Sequence, residues 1–462
     1  MRYEQYLNVI DGKSDVFCNI SDFLWENPEI PFHEYEAAKL IAGVLENEGF
    51  TVMRGVAGMP TAFTATYGTG SPKLGILAEY DALSGMSQVG CIAEKKSIPG
   101  LDAGHGCGHN LFAGGSVAAA FAVKAYIEAT GKGSVTLFGC PAEEGGGGKV
   151  FMARDGIFDG IEAIVSWHPE AMNMVRTRPA LANVKVDYTF EGIAAHAGAA
   201  PHLGRSALDA VELMNVGCNF LREHMDLTSR VHYAILDAGG TAPNQVQSHA
   251  VVQYMIRAID SASVRELHER IDRIAQGASL MTDTTVTSRV TSAYSSLITI
   301  PTLQAIANET LHDIPVPEAT EEELAFANAL QKTFPLTKEQ ASLPPYANVV
   351  REPAPPVAHG GSTDTADVSW VVPTVQLHIG SSVVGTPGHS WQSVANNRGT
   401  FAKKSMLFAG KVVAGTLMRL IDDPSLVERA KTEHTEKTGG CYICPIPAEL
   451  LPDTPENLGK HN

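Results

Sequence analysis

Asp102-Ala103-Gly104-His105-Gly106-Cys107-Gly108-His109-Asn110 sets an imidazole or a thiol at every second position from His105 to His109, with glycine between. Glycine lets a backbone turn sharply and come close to other groups. Imidazole nitrogen and thiolate sulfur are ligands for zinc and its first-row neighbours. Alone, the stretch fits either a metal loop or a Gly-rich turn before a helix, with a buried cysteine and hydrogen-bonded histidines. What flanks it decides between them.

Upstream, Ala37, Leu40, Ile41, Val44 and Leu45 recur at helical spacing and Gly49 closes the pattern. Apolar runs at 62–67 and 74–78 read as strands, the second leading into Glu79-Tyr80-Asp81. Downstream, Asn110 reads as the cap of a small-residue helix over 111–129. Runs 135–140 and 163–167 read as buried strands that end in Glu143-Glu144, before four glycines, and in His168-Pro169-Glu170. Open α/β sheets bind ligands at the carboxyl ends of their strands, so this repetition implies one site at one sheet edge.

From residue 184 the rhythm changes. Strand-like runs at 184–190, 231–237, 249–258 and 284–291 alternate with helical patterns at 206–224 and 264–281. This β-α-β-β-α-β order predicts a ferredoxin-like unit. The expected fold is an α/β, mixed-sheet catalytic domain in two parts, 1–183 and 296–462, interrupted by an inserted domain over 184–295. Further helices are expected over 303–312, 321–332 and 404–420, with 315–358, including Pro353-Ala354-Pro355-Pro356, as a surface loop around the middle one. Polar residues return at His359-Gly360-Gly361-Ser362-Thr363-Asp364 and around His389.

A chain of 462 residues, 44% hydrophobic and 18% charged, suits two folded domains. Its net charge of −17 argues against a nucleic-acid partner, which needs a basic face. No apolar run is expected to cross a membrane, and the start has no charged segment followed by an apolar block, so no signal peptide is expected. Seven cysteines, odd in number and thinly spread, point to free thiols in a reducing, cytoplasmic setting.

Adjacent carboxylates are poor core material. Glu143-Glu144 reads as a solvated acidic turn or, beside a His/Cys motif, as a metal ligand with a neighbouring general base. The glycine run is no phosphate loop: Glu143 stands at the first glycine position and Val150 follows Lys149. Ser116 and Ser362 lack the serine-hydrolase elbow, and the single Cys441/Cys444 pair lacks the second pair of a structural zinc site. Taken singly, His168 and His389 read as structural. Taken together, Cys107, His109, Glu144, His168 and His389 would suit two divalent cations that share a bridging ligand.

Segments 104–110, 139–147, 167–169, 195–205 and 362–370 resemble motifs of the dinuclear-metal amidohydrolases, a superfamily of glutamate carboxypeptidases, aminoacylases and auxin-conjugate hydrolases. The stretches 192–197, 201–210 and 385–387, and the tail Cys444-Pro445-Ile446-Pro447, are similar to those members that act on p-aminobenzoyl-glutamate. The likeness runs through nearly the whole chain. It implies two cations, Mn2+ or Zn2+, with Cys107 bridging, His109 terminal, and Glu144, His168 and His389 completing the set. Glu143 would be the base and His105 would orient ligands from behind them. The inserted domain would be a lid and dimerisation domain. His196 would steady an oxyanion in a neighbouring subunit's site, and Asn244 and Arg257 would hold a substrate carboxylate.

Asn110 departs from the aspartate of many relatives, and Glu79 and Asp81 stand where distant relatives carry a metal histidine. The implied substrate is a small acyl-amino acid: p-aminobenzoyl-glutamate first, then indole-acetyl or other aryl-acyl amino acids and small dipeptides. The implied assembly is a homodimer or a heteromer with a related subunit. A deaminating hydrolase and a non-catalytic partner subunit are the competing readings.

Overall fold

A computed structural model describes residues 3–347, 349–352 and 361–457. The proline-rich stretch 353–356 and the His359-Gly360 pair lie outside the described residues. The strands in chain order begin with β1 Thr51–Arg54, β2 Phe63–Tyr67, β3 Lys73–Glu79, β4 Ser134–Cys140, β5 Ala163–Glu170 and β6 Met174–Val175. They continue with β7 Ala182–Glu191, β8 Ala195–His196, β9 Arg230–Asp237, β10 Gln245–Val246, β11 His249–Ala258, β12 Thr285–Tyr294 and β13 Thr374–Gly380.

Seven of them make one mixed sheet in the order β1-β2-β4-β3-β5-β13-β6. The central four, β4-β3-β5-β13, run parallel, with antiparallel strands at both edges. Every residue of β4 is buried, as expected of a parallel strand covered on both faces. This is why its sequence reads as a continuous apolar run.

The helix after the Gly/His/Cys stretch spans His109–Thr130 and lies against β3, β4 and β5 on one side and the helix Thr400–Asp422 on another. Gly108, at φ 84°, turns the chain into it and occupies the cap position expected of Asn110. Asn110 instead sits inside the first turn, buried, and its Nδ2 donates to Ser21 Oγ at 2.9 Å and Asn397 O at 3.1 Å. It ties three distant segments together, and a buried amide with such partners has no reason to cap. Contrary to expectation, this helix is long and apolar enough to cross a membrane by length and composition, but 89% of its apolar window is buried inside the protein. Its small residues serve close helix packing: a Cβ on Gly115 would meet Trp167 Cζ2 at 2.6 Å and Met406 O at 2.9 Å.

A second, antiparallel sheet has the order β12-β7-β11-β9. The helices Ala207–Leu221 and Ser261–Thr282 lie against it and each other. Along β11, Ala250, Val252, Tyr254, Ile256 and Ala258 are buried while the residues between them are half-exposed, the period of two of a sheet with one covered face. The strand expected to end at 291 runs on to Tyr294, and the helix expected to reach 224 stops at Leu221 in favour of a tighter turn. A two-stranded ribbon pairs β8 with β10, setting His196 opposite Gln245.

Gly115→Ala is expected to cost about 1–3 kcal/mol, the usual range for overpacking, because one of its two close neighbours is backbone. Urea unfolding beside wild type reads this, and equal midpoints would refute the close approach.

Candidate metal centre

The parallel strands deliver their carboxyl ends to one place. Glu79 is level with Cys140, and His168 with His378. Beyond those ends come Asp81, the loop bearing Glu143 and Glu144, and the turn that carries His389 at φ 51°. His109 enters from the first turn of its helix.

Ligand atoms of Cys107, His109 and His168 lie within 4.8 Å of one another, and so do those of Cys107, Glu144 and His389. A third such group joins Glu79, His109 and Glu143. Cys107 Sγ is 3.5 Å from His168 Nε2, and His389 Nε2 is 3.3 Å from Glu144 Oε1. The five residues that the sequence suggested as ligands therefore meet, with the thiol common to two groups.

The far nitrogens of two imidazoles are already engaged. His109 Nδ1 lies 2.9 Å from Asp81 Oδ1, and His168 Nδ1 lies 2.8 Å from Pro169 O. Donation from Nδ1 leaves each Nε2 free as a lone-pair ligand. Asp81 Oδ2 also accepts from Glu144 N at 2.8 Å, so one carboxylate braces both the His109 helix and the Glu144 loop.

Three buried atoms here make no well-formed hydrogen bond, although His109 Nε2 faces Glu79 Oε2 at 3.1 Å and Glu144 Oε1 faces His389 Nε2 at 3.3 Å. Unpartnered buried polar atoms are costly, and convergence of three of them with a thiol is relieved by a cation. The sulfur, nitrogen and oxygen donors fit zinc or manganese.

Burial pushes the Cys107 thiol far up. Burial also pushes the Glu143 carboxyl well above the usual range, helped by Glu79 and Asp364 and opposed by Lys149. Glu144 is raised by burial but held down at about 2 by the His389 and His109 imidazoles. His168 is pulled down to about 4 by burial. His105, expected behind the ligands, points its Nε2 at Leu24 O, 3.1 Å away, while Asn397 Nδ2 donates to its carbonyl. It anchors the loop to the N-terminal helices, and among the described residues no hydrogen bond joins its ring to a ligand side chain.

The ligand cluster opens onto a cavity of about 460 Å³ lined also by Glu143, Glu170, Arg176, Arg178, Gln376 and His378. Arg257 reaches its rim, donating from Nη1 to Ser362 Oγ at 2.7 Å. His196 and Asn244 do not line it. Both are exposed on the ribbon, where Asn244 O accepts from Ala197 N and His196 Nδ1 accepts from Gly198 N and Ala199 N, both at 3.1 Å. Cys441 and Cys444 are free thiols and join no ligand group among the described residues.

Sequence reasoning missed several residues. Lys149, fully buried, puts Nζ 2.7 Å from Glu79 Oε1 and 2.6 Å from Asp364 Oδ1. The signal was a lysine closing a glycine run, set aside once the phosphate loop failed. Glu34 Oε1 accepts from Phe32 N and Ala142 N, both at 2.9 Å, and so holds two non-glycine residues at φ 64° and 58°. Ala142 precedes Glu143, so Glu34 shapes the loop that presents it. Nothing in the sequence marks that role.

The model of peptidase family M20/M25/M40 matches residues 76–330. The chain is 43% identical to one of the subunits of p-aminobenzoyl-glutamate hydrolase of Escherichia coli K12, covering 96% of this chain and 97% of the relative. Among solved structures it is similar to a putative aminohydrolase from methicillin-resistant Staphylococcus aureus, with TM-score 0.67 and 20% identity over 90% of this chain and 99% of that one. It is also similar to a dinuclear metal-binding M20 peptidase from Bacillus subtilis, with TM-score 0.57 and 18% identity over 87% of this chain and 98% of that one. These two structural likenesses speak to the fold.

Burial first, then the charge of Asp81, pushes Glu34 up to about 8. A carboxyl raised above its unfolded value gives stability that is full below that value and lost as pH rises through about 8. Glu34→Gln keeps the acceptor and cannot ionise. Its stability relative to wild type is expected to grow from pH 5 to pH 9, by up to about 1.4 kcal/mol per pH unit. Denaturant unfolding across that range reads it, and parallel curves would contradict it.

Proposed function

The chain belongs to peptidase family M20/M25/M40 and is an amide-bond hydrolase, and we propose that it cleaves p-aminobenzoyl-glutamate to p-aminobenzoate and glutamate. The carrying observation is that one thiol, Cys107, is shared by two groups of ligand atoms, with Glu143 lining the same cavity. The Escherichia coli relative, covered almost end to end, supports the substrate.

In this reading Cys107, His109, His168, Glu144 and His389 would hold two divalent cations, with Cys107 the residue common to both ligand groups. Zn2+ and Mn2+ both suit these donors. When bound, the cations polarise the amide carbonyl and make water easier to deprotonate. Glu143 takes the proton from the attacking water and passes it to the departing nitrogen, work that suits a carboxylate with raised proton affinity.

The region 184–295 acts as lid and dimerisation domain. With Nδ1 occupied as an acceptor, His196 keeps an Nε2–H, and its exposure on the ribbon suits donation to the oxyanion in a neighbouring copy's site. Arg257, at the rim of the cavity, and Asn244 from a neighbouring copy hold the substrate's α-carboxylate. The assembly is a homodimer or pairs with a related subunit, as the relative's name suggests for that protein. Free cysteines throughout the described chain suit the cytoplasm.

The purified chain, loaded with Mn2+ or Zn2+, is expected to release free amino acid from p-aminobenzoyl-glutamate in a screen of acyl-amino acids. Glu143→Ala is expected to keep its metal and lose turnover by about 10²–10⁴-fold. Retained activity would show that the proton carrier is another group. Activity only after adding a related subunit would favour the partner-subunit reading, and release of ammonia in place of an amino acid would favour deamination.

A further inference from the structure

The cavity has a second wall that the hydrolytic chemistry leaves unused. Arg176 directly follows β6 and Arg178 lies two residues on, beside Gln376 and His378 of β13. Arg176 Nη1 donates to Gln376 Oε1 at 2.6 Å, and its Nε lies 3.4 Å from Arg178 O. The guanidinium is thus held in place by neutral acceptors. Among the described residues, neither arginine forms an ion pair with a carboxylate, whereas the buried Lys149 has two. Glu170, on the same wall, is exposed and bridges to neither.

A half-buried guanidinium that bridges to no carboxylate is costly to maintain. Burial pulls Arg176 below its ordinary range, opposed by the charges of Glu170, Glu143 and Glu79. An anion entering this wall meets two guanidinium groups, Arg176 half-buried and Arg178 exposed, that no carboxylate bridges among the described residues.

We propose that Arg176 and Arg178 form a carboxylate subsite for the side chain of an acidic leaving residue, making the enzyme selective for acyl derivatives of dicarboxylic amino acids. The inference rests on the amidase reading above. A guanidinium takes a carboxylate through two parallel hydrogen bonds. Arg257 stands at a separate point of the rim, through Ser362, and comes from the second sheet. Two cationic points in one cavity match the two carboxylates of an acyl-glutamate. A substrate with one carboxylate leaves Arg176 without a partner.

The test compares p-aminobenzoyl-glutamate with p-aminobenzoyl-glutamine, which differ only in that side-chain carboxylate. Wild type is expected to prefer the glutamate by about 10- to 100-fold in kcat/KM, the size of one charged hydrogen-bonded pair. Arg176→Gln is expected to erase the preference, mainly through KM for the glutamate, while leaving the glutamine derivative within about threefold, the scale of a lost surface contact. Calorimetric binding of both compounds to Glu143→Ala and to the Glu143→Ala/Arg176→Gln double variant gives the same comparison without turnover.

Equal loss for both compounds, or a wild type indifferent to the carboxylate, would overturn the subsite while leaving the hydrolase reading intact. Failure of wild type to cleave either compound would sink the p-aminobenzoyl-glutamate reading, and calorimetry would still decide the subsite. Arg176→Lys, with matching thermal melts, separates misfolding from lost recognition: partial recovery of the preference supports the subsite, and none overturns it.

Discussion

The register of four parallel strands is the constraint on which the rest depends. Pairing of β4, β3, β5 and β13 makes Glu79 level with Cys140 and His168 level with His378. A parallel ladder brings successive carboxyl ends to one edge without any further device, and the loops that leave them inherit that alignment. Sliding one strand by a residue would turn each of its side chains to the opposite face and scatter the donors. The buried central strands resist such slippage, because β3, β4 and β13 have almost no exposed position between them.

A buried ionic network then fixes the loops. Glu34, Glu79, Asp81, Asp364 and Asp367 are all at most 1% exposed. Among the described residues Lys149 is the buried lysine or arginine that faces them, contacting Glu79 and Asp364, and the His109 imidazole contacts Glu79 and Asp81. Burying charge at this density lowers stability, and removing one partner leaves the other stranded. Backbone and hydroxyl donors offset part of the cost: Glu34 accepts from Ala142 N, Asp81 accepts from Glu144 N, and Asp367 accepts from Ser295 N, Ser295 Oγ and Tyr442 OH. Each bond anchors a segment that borders the cavity or the sheet edge beneath it. The fold thus spends stability to hold carboxylates where a cation can use them.

What could be read from sequence, and what could not, follows from how local each signal is. Apolar runs bounded by polar strand ends marked β3, β4 and β5 to within a few residues, and the Gly/His/Cys alternation marked Cys107 and His109, since these depend only on near neighbours in the chain. The β-α-β-β-α-β rhythm matched the second sheet for the same reason. Asn110 misled because its local preference for capping is weaker than two tertiary partners, Ser21 and Asn397. Glu34 and Arg176 were invisible because their meaning lies in partners far off in sequence, and Lys149 showed only as the end of a glycine run. His196 and Asn244 rest on resemblance, for within one chain they lie apart from the cavity.

The chemistry proposed for the centre turns on Cys107 serving two cations at once. Metal content per chain, measured by elemental analysis after equilibration with Zn2+ or Mn2+, tests this directly when wild type and Cys107→Ala are compared. A bridging thiol predicts about two equivalents for wild type and weakened binding of both in the variant, since its loss removes a ligand from each. A wild type that takes up one equivalent, or a Cys107→Ala protein that still holds two at wild-type affinity, would contradict it.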